Sequence, residues 1–250
     1  MSASPAAEVV VGVHAVEARV TADPDSVLRL LVQDNRRDGR IAGVVAAARA
    51  AGIEVDLVPR RRLDQHYPQL RHQGLVAECR AQPERNADDL QQALEHLPNP
   101  LLLVLDGVQD PRNLGACLRS AAAAGVDGVI TPRDRAAGLT PAARKAAAGA
   151  AEQLPLYRVT NLARCLRALA EAGVRIVGAD AEAPESLYVS DLTGPLALVM
   201  GAEEKGLRRL TREHCDSLVH IPLAPGSESL NVSVAAGVCL FEVVRQRGRL

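Results

Sequence analysis

Three segments in the C-terminal two thirds of the chain place polar side chains of catalytic type beside apolar runs. The first, 106–119 (DGVQDPRNLGACLR), offers Asn113 and Arg119. The second, 196–206 (LALVMGAEEKG), ends an apolar run on Gly201 and follows it with Glu203. The third, 220–237 (HIPLAPGSESLNVSVAAG), sets Ile221, Ser229, Leu230 and Asn231 ahead of a helical pattern. Amide, guanidinium, carboxylate and hydroxyl groups of this kind can grip a phosphate, orient a hydroxyl nucleophile and stabilise charge as it develops. Each residue also has a plainer reading. Asn113 and Ser229 suit helix caps, Ser229 for a helix over 230–247. Arg119 suits a surface ion pair, Glu203 an acid at a helix N-terminus, Gly201 a strand-end turn, and Ile221 and Leu230 core positions. Asn113 and Arg119 are six residues apart and do not stand one above the other on a helix. Asn113 therefore works from the loop or helix edge and Arg119 from the helix itself.

The elements that must position these groups follow a regular pattern from Pro100 onward. Apolar runs at 101–106, 127–131, 154–159, 174–179, 196–201 and 217–222 alternate with helical patterns at 113–124, 141–150, 161–172 and 230–247. Continuous apolar strands separated by helices predict a parallel sheet covered on both faces. Such sheets bind ligands at the carboxyl ends of their strands, where the three polar segments lie. The usual phosphate cradles are missing. No GxGxxG follows the first strand, and Gly201-AEEK-Gly206 has Walker-like spacing but is followed by Leu207 and Arg208. GxSxG and HExxH are absent as well. What remains is a cofactor held by loops at three strand ends.

Taken together, the three segments resemble the three motifs of the SpoU (TrmH-type) branch of the SPOUT RNA methyltransferases. Within that branch they are most similar to the bacterial group that methylates a guanosine ribose of 23S rRNA. The resemblance extends to the N-terminal region through GVHAV (12–16) and RHQG (71–74). It implies a deep trefoil knot in the C-terminal α/β domain, an exception to the rule against knotted chains, and a homodimer with each active site near the interface. It also implies S-adenosylmethionine as methyl donor, lined by Gly201, Ile221 and Leu230, and a catalytic set of Asn113, Arg119, Glu203, Ser229 and Asn231. In the family the matching arginine contacts RNA phosphate and is often assigned as general base. A guanidinium is effectively always protonated in proteins, so a phosphate clamp that orients the hydroxyl is easier to set up. Pro225 and Glu228 depart from the small neutral residues expected in that loop. A tRNA 2′-O-methyltransferase and a catalytically silent rRNA-binding assembly factor are the alternatives on the same fold.

Composition sets the outer bounds. The chain has 250 residues, 48 % hydrophobic and 24 % charged, with a formal net charge of −1. That balance fits a globular protein with a sizeable core, but whole-chain charge gives no sign of nucleic-acid binding. One Phe, three Tyr and no Trp exclude a base-stacking platform. Of the 29 basic residues only Lys145 and Lys205 are lysines, and arginines grip phosphate bidentately. The five scattered cysteines form no CxxC pair, which fits reduced thiols in a cytoplasmic protein without a metal site. Neither a signal peptide nor a membrane span is evident. Residues 1–80 read as a small α/β RNA-binding domain, 81–97 as a linker with a short helix, and 98–250 as the methyltransferase domain. Arg60–Arg62 and Arg36, Arg37 and Arg40 are the basic clusters of the N-terminal domain, by default a solvated face. His72 is equally a structural histidine or an RNA contact.

Overall fold

The computed structural model describes residues 7–35, 38–68, 70–81, 84–202, 206–227 and 229–248. Glu203, Glu228, Arg36 and Arg37 lie outside the described residues. The chain begins with β1 (Ala7–Val11), α1 (Val13–Ala22), β2 (Val27–Gln33), α2 (Gly39–Ala50), β3 (Glu54–Val58), α3 (Arg60–His66) and β4 (Leu75–Arg80). Then follow α4 (Ala87–Leu94), β5 (Leu101–Asp106), α5 (Pro111–Ala123), β6 (Gly128–Pro132), α6 (Pro141–Ala147), α7 (Ala150–Gln153) and β7 (Leu156–Val159). The last stretch holds α8 (Leu162–Glu171), β8 (Arg175–Ala179), β9 (Glu185–Ser186), β10 (Leu196–Gly201), α9 (Arg209–Glu213), β11 (Ser217–His220) and α10 (Val232–Gln246).

Two compact units result, one of residues 1–83 with 139–153, the other of 84–138 with 154–250. In the first, a four-stranded sheet of order β1-β4-β2-β3 is antiparallel except for the β2–β3 pair. Val10, Leu30, Val32, Leu75 and Ala77 pack with Val16 of α1 and Val44 of α2. Leu31 and Val76, alternate residues of the same strands, pack with Leu63 of α3. This is the period-two alternation of a sheet covered on both faces. The Arg60–Arg62 run is thus the first turn of α3, and those three side chains are exposed.

Residues 139–153 join this unit through charge. Arg19 pairs with Glu8 and Glu152, and Arg144 with the same two carboxylates; the Glu152 side chain is fully buried. The expected helix over 141–150 is broken at Ala148 and Gly149, both at positive φ (50° and 96°). A Cβ at 149 would come within 3.0 Å of the His14 carbonyl oxygen and 3.1 Å of Ala18 Cβ, so glycine permits the close approach to α1. His72 accepts from the Gly74 N–H at 3.1 Å, lies 3.0 Å from Asp64 and is 4 % exposed. It is a satisfied structural histidine.

The second unit is a seven-stranded, all-parallel sheet of order β7-β6-β5-β10-β8-β11-β9. β5 is buried at every position and β10 at all but its last, as expected for strands covered on both faces. Strand order departs from chain order at β10, which inserts between β5 and β8. A chain that returns to the middle of its own sheet is what the resemblance to knotted enzymes leads one to expect.

Candidate active site

Parallel registry brings the three polar segments to one end of this sheet. Gly201 pairs with Asp106, Met200 with Ala179 and Val219 with Ala179. The exits of β5, β10 and β11 therefore lie at the same level, with Gly107, Ala202 and Ile221 just beyond it.

The loop after β10 folds back on itself. The Ala202 N–H donates to the Gly206 carbonyl (3.1 Å) and the Gly206 N–H to the Ala202 carbonyl (2.9 Å). A Cβ at 201 would fall on the backbone of Gly206 and Leu207. Glycine at 201 is therefore required by the loop's own return. Gly178 of β8 is in the same situation: a Cβ there would meet Leu218, Leu207 and Cys215 at 2.7–2.9 Å. The returning chain is locked to β5 by Asp106, which is 1 % exposed. Its carboxylate accepts from the Arg208 N–H at 3.0 Å and forms an ion pair with the Arg208 guanidinium. Nothing in the sequence alone singled out that pair, because the partners are 102 residues apart.

The first and third segments meet through two amides. Asp110, not Asn113, caps α5 by accepting from the Arg112 N–H (2.8 Å), with Pro111 opening the helix. Asn113 is left in the first turn, where its Oδ1 accepts from the Asn231 Nδ2 at 3.1 Å. Asn231 in turn caps α10: its Oδ1 accepts from the N–H (2.9 Å) and the hydroxyl (2.6 Å) of Ser233. The capping role expected of Ser229 thus belongs to Asn231, and α10 begins at Val232. Ser229 is exposed two residues ahead of the cap, and Leu230 is half-buried. α5 packs against α10 closely enough that a Cβ on Gly237 would sit 3.7 Å from the Ser120 hydroxyl. Arg119 is exposed on α5 and forms no ion pair with any described residue. The surface ion pair that was its plainer reading is therefore absent among them.

A concavity of about 1280 Å³ lies elsewhere, between α4 and α8, and is lined by Leu90, Arg158, Arg164 and Cys165 among others. It contains none of the candidate residues. The strand-end geometry, not this cavity, marks the site, because only the former brings the three polar segments together. Among the described residues, no group of three His, Cys, Asp or Glu is placed to hold a metal. None of the five cysteines forms a disulfide. Burial pushes the thiols of Cys79 and Cys165 up to about 11 and those of Cys215 and Cys239 up to about 12, so none is a ready nucleophile.

Comparison with known proteins fixes the family. The model of the SpoU rRNA Methylase family matches residues 100–241, and the model of RNA 2′-O ribose methyltransferase substrate binding matches residues 9–85. This chain belongs to the SpoU rRNA methylase family. Among SpoU relatives, the 23S rRNA (guanosine-2′-O-)-methyltransferase RlmB of Yersinia pestis is 54 % identical, covering 96 % of this chain and 98 % of that one. The RlmB of Escherichia coli is 50 % identical over 96 % of this chain and 99 % of its own. The crystal structure of the SpoU methyltransferase AviRb from Streptomyces viridochromogenes, in complex with AdoMet, superposes with a TM-score of 0.80 at 27 % identity. It covers 98 % of this chain and 92 % of that one.

Proposed function

We propose that this protein transfers a methyl group from S-adenosylmethionine to the ribose 2′-hydroxyl of a guanosine in 23S rRNA. The observation that carries the reading is end-to-end similarity, at 50–54 % identity, to enzymes named for that reaction. Both the substrate-binding and the methylase models match this chain. The carboxyl ends of β5, β10 and β11 suit the cofactor. They offer backbone freed by Gly201, the half-buried apolar side chains of Ile221 and Leu230, and a buried His220 Nδ1 without a partner. Gly201, Ile221 and Leu230 would hold it, and when bound it supplies an electrophilic methyl group.

The protein's own contribution is alignment and charge management. Arg119 grips the phosphate beside the target ribose through its planar fork and points the 2′-hydroxyl toward the methyl carbon. Asn113 and Asn231, held to each other, fix the edge of α5 against the start of α10, and Ser229 hydrogen-bonds the hydroxyl from the adjoining loop. Glu203 completes the set as a positioning carboxylate. The 2′-hydroxyl gives up its proton to an acceptor other than the guanidinium, which stays protonated.

Residues 1–80 provide RNA affinity and selectivity, 81–97 act as a linker with a short helix, and 98–250 hold the catalytic apparatus. The active form is a cytoplasmic homodimer, and it acts on rRNA or the pre-ribosomal large subunit without a metal ion. Val234 and Phe241 support the dimer: they lie one heptad apart on α10 and are 52 % and 41 % exposed, an apolar stripe of the kind a partner covers. No helix among the described residues is long and apolar enough to cross a membrane.

The test is to incubate the purified protein with unmodified 23S rRNA and methyl-labelled S-adenosylmethionine in EDTA. Label should appear in 2′-O-methylguanosine, at a dinucleotide that resists alkaline hydrolysis. Label in a base, or none with rRNA but some with tRNA, would overturn the substrate. Turnover that appears only with added divalent ion and folded RNA would overturn the metal-free reading. Light scattering that gives a fully active monomer would overturn the dimer.

A further inference from the structure

The loop after β6 carries an arginine to the edge of the site by an unusual backbone route. Arg135 has φ 56°, the left-handed region that non-glycine residues enter at some energetic cost. Such residues persist where the surroundings over-determine them, and they cluster at functional sites. Here the surroundings can be named. At one end, the Arg133 N–H donates to the Val159 carbonyl (2.9 Å) and the Arg133 carbonyl accepts from Arg158 Nη2 (2.8 Å). At the other, the Ala137 N–H donates to the Val108 carbonyl (2.8 Å), and Ala137 is 6 % exposed. Arg135 stands at the apex between these anchors.

That apex adjoins the loop after β5, which in turn adjoins the start of the loop after β10. A Cβ built on Gly107 would lie 3.8 Å from the Arg135 carbonyl oxygen and 4.0 Å from Ala202 Cβ. Gly107 opens the loop after β5, and Ala202 opens the loop after β10. The Arg135 side chain is exposed and forms no ion pair or hydrogen bond with any described residue. By contrast Arg133, two residues earlier, and Arg158 and Arg208 all pair with carboxylates. Asp106, the residue before Gly107, is committed to Arg208. An anchored loop that exposes an unpaired arginine next to the chain at Gly107 can offer its guanidinium to an oxyanion bound there.

We propose that Arg135 binds a backbone phosphate of the RNA flanking the target nucleotide, as a second clamp distinct from Arg119. This rests on the RNA-methylating function proposed above. The same chemistry would be offered by the carboxylate of S-adenosylmethionine, and the test separates the two. Arg135→Asn removes the charge while keeping a residue that tolerates the left-handed backbone; Arg135→Lys keeps the charge and loses the fork.

Binding of the full-length protein to unmodified 23S rRNA is measured across salt concentrations, and S-adenosylmethionine affinity by calorimetry. Arg135→Asn should weaken RNA binding about tenfold and reduce the slope of log affinity against log salt by about one. Its cofactor affinity and melting temperature should be unchanged, and Arg135→Lys should retain the wild-type slope. Weakened cofactor binding with an unchanged salt slope would assign Arg135 to the cofactor and overturn the proposal. An unchanged slope and affinity in a wild-type background that methylates RNA would overturn it while leaving the function intact. A wild-type protein that binds no rRNA would sink both.

Discussion

Asn231 has two separable duties, and a pair of substitutions tells them apart. Its Oδ1 caps α10 through Ser233, and its Nδ2 donates to Asn113. Asn231→Ala removes both. Loss of an N-cap costs about 1 kcal/mol, and loss of an exposed neutral hydrogen bond costs about 0.5–1 kcal/mol. The sum, about 1.5–2 kcal/mol, corresponds to about 3–8 °C in melting temperature for a protein of this size. Asn231→Asp keeps the capping oxygen and places a negative charge at the N-terminus of α10, which is favourable by about 0.3–1 kcal/mol. It also replaces the donor facing Asn113 Oδ1 with an acceptor. The aspartate variant should therefore melt within about 3 °C of the wild type, yet lose about 10- to 100-fold in single-turnover methyl transfer, or 1.4–2.7 kcal/mol of transition-state stabilisation. Thermal unfolding and a rapid-quench assay at saturating RNA and cofactor give the two readings. Wild-type turnover in Asn231→Asp would refute the reasoning and reduce Asn231 to a helix cap.

Three further substitutions or conditions probe other parts of the account. Arg119→Lys keeps the charge but loses the bidentate fork. Because Arg119 is exposed, folding should be unaffected while single-turnover rate drops about 100-fold or more, about 3 kcal/mol. Gly201→Ala would push a methyl group onto the Gly206–Leu207 backbone; it should destabilise the protein by about 1–3 kcal/mol and weaken S-adenosylmethionine binding by at least tenfold, read by calorimetry. The buried thiols have folded pKa values of about 11–12, above the free value of about 8.5. Folding thus favours the protonated form, and their contribution is complete below that free value and is lost as pH rises toward 11–12. Stability should fall progressively above pH ~8.5, and alkylation of the native protein at pH 8 should lag far behind the unfolded chain.

Different parts of this structure were legible for different reasons. The sequence runs LLLVLD and LALVMG coincide with β5 and β10, because strands buried on both faces read as unbroken apolar stretches. β9, with two residues, and α9, with five, are too short to show a period. The break at Ala148–Gly149 depends on α1 approaching from elsewhere in the chain. The caps at Asp110 and Asn231 were misplaced by a few residues because several capping residues crowd each helix start. The candidate residues were found through their family resemblance, whereas the contacts that organise them, Asn113–Asn231 and Asp106–Arg208, join positions more than 100 residues apart. No local pattern encodes such a pairing. Strand order likewise escapes periodicity, since β10 would occupy any slot in a parallel sheet with equal hydrophobic gain.

The central claim is a methyl group on one guanosine ribose of 23S rRNA. It is tested most directly by mapping 2′-O-methylation across the large-subunit rRNA of cells that have the gene, lack it, or lack it and carry the Arg119→Lys form. One 2′-O-methylguanosine should be present in the first, absent in the second and strongly reduced in the third. An unchanged methylation map in cells without the gene would contradict the account.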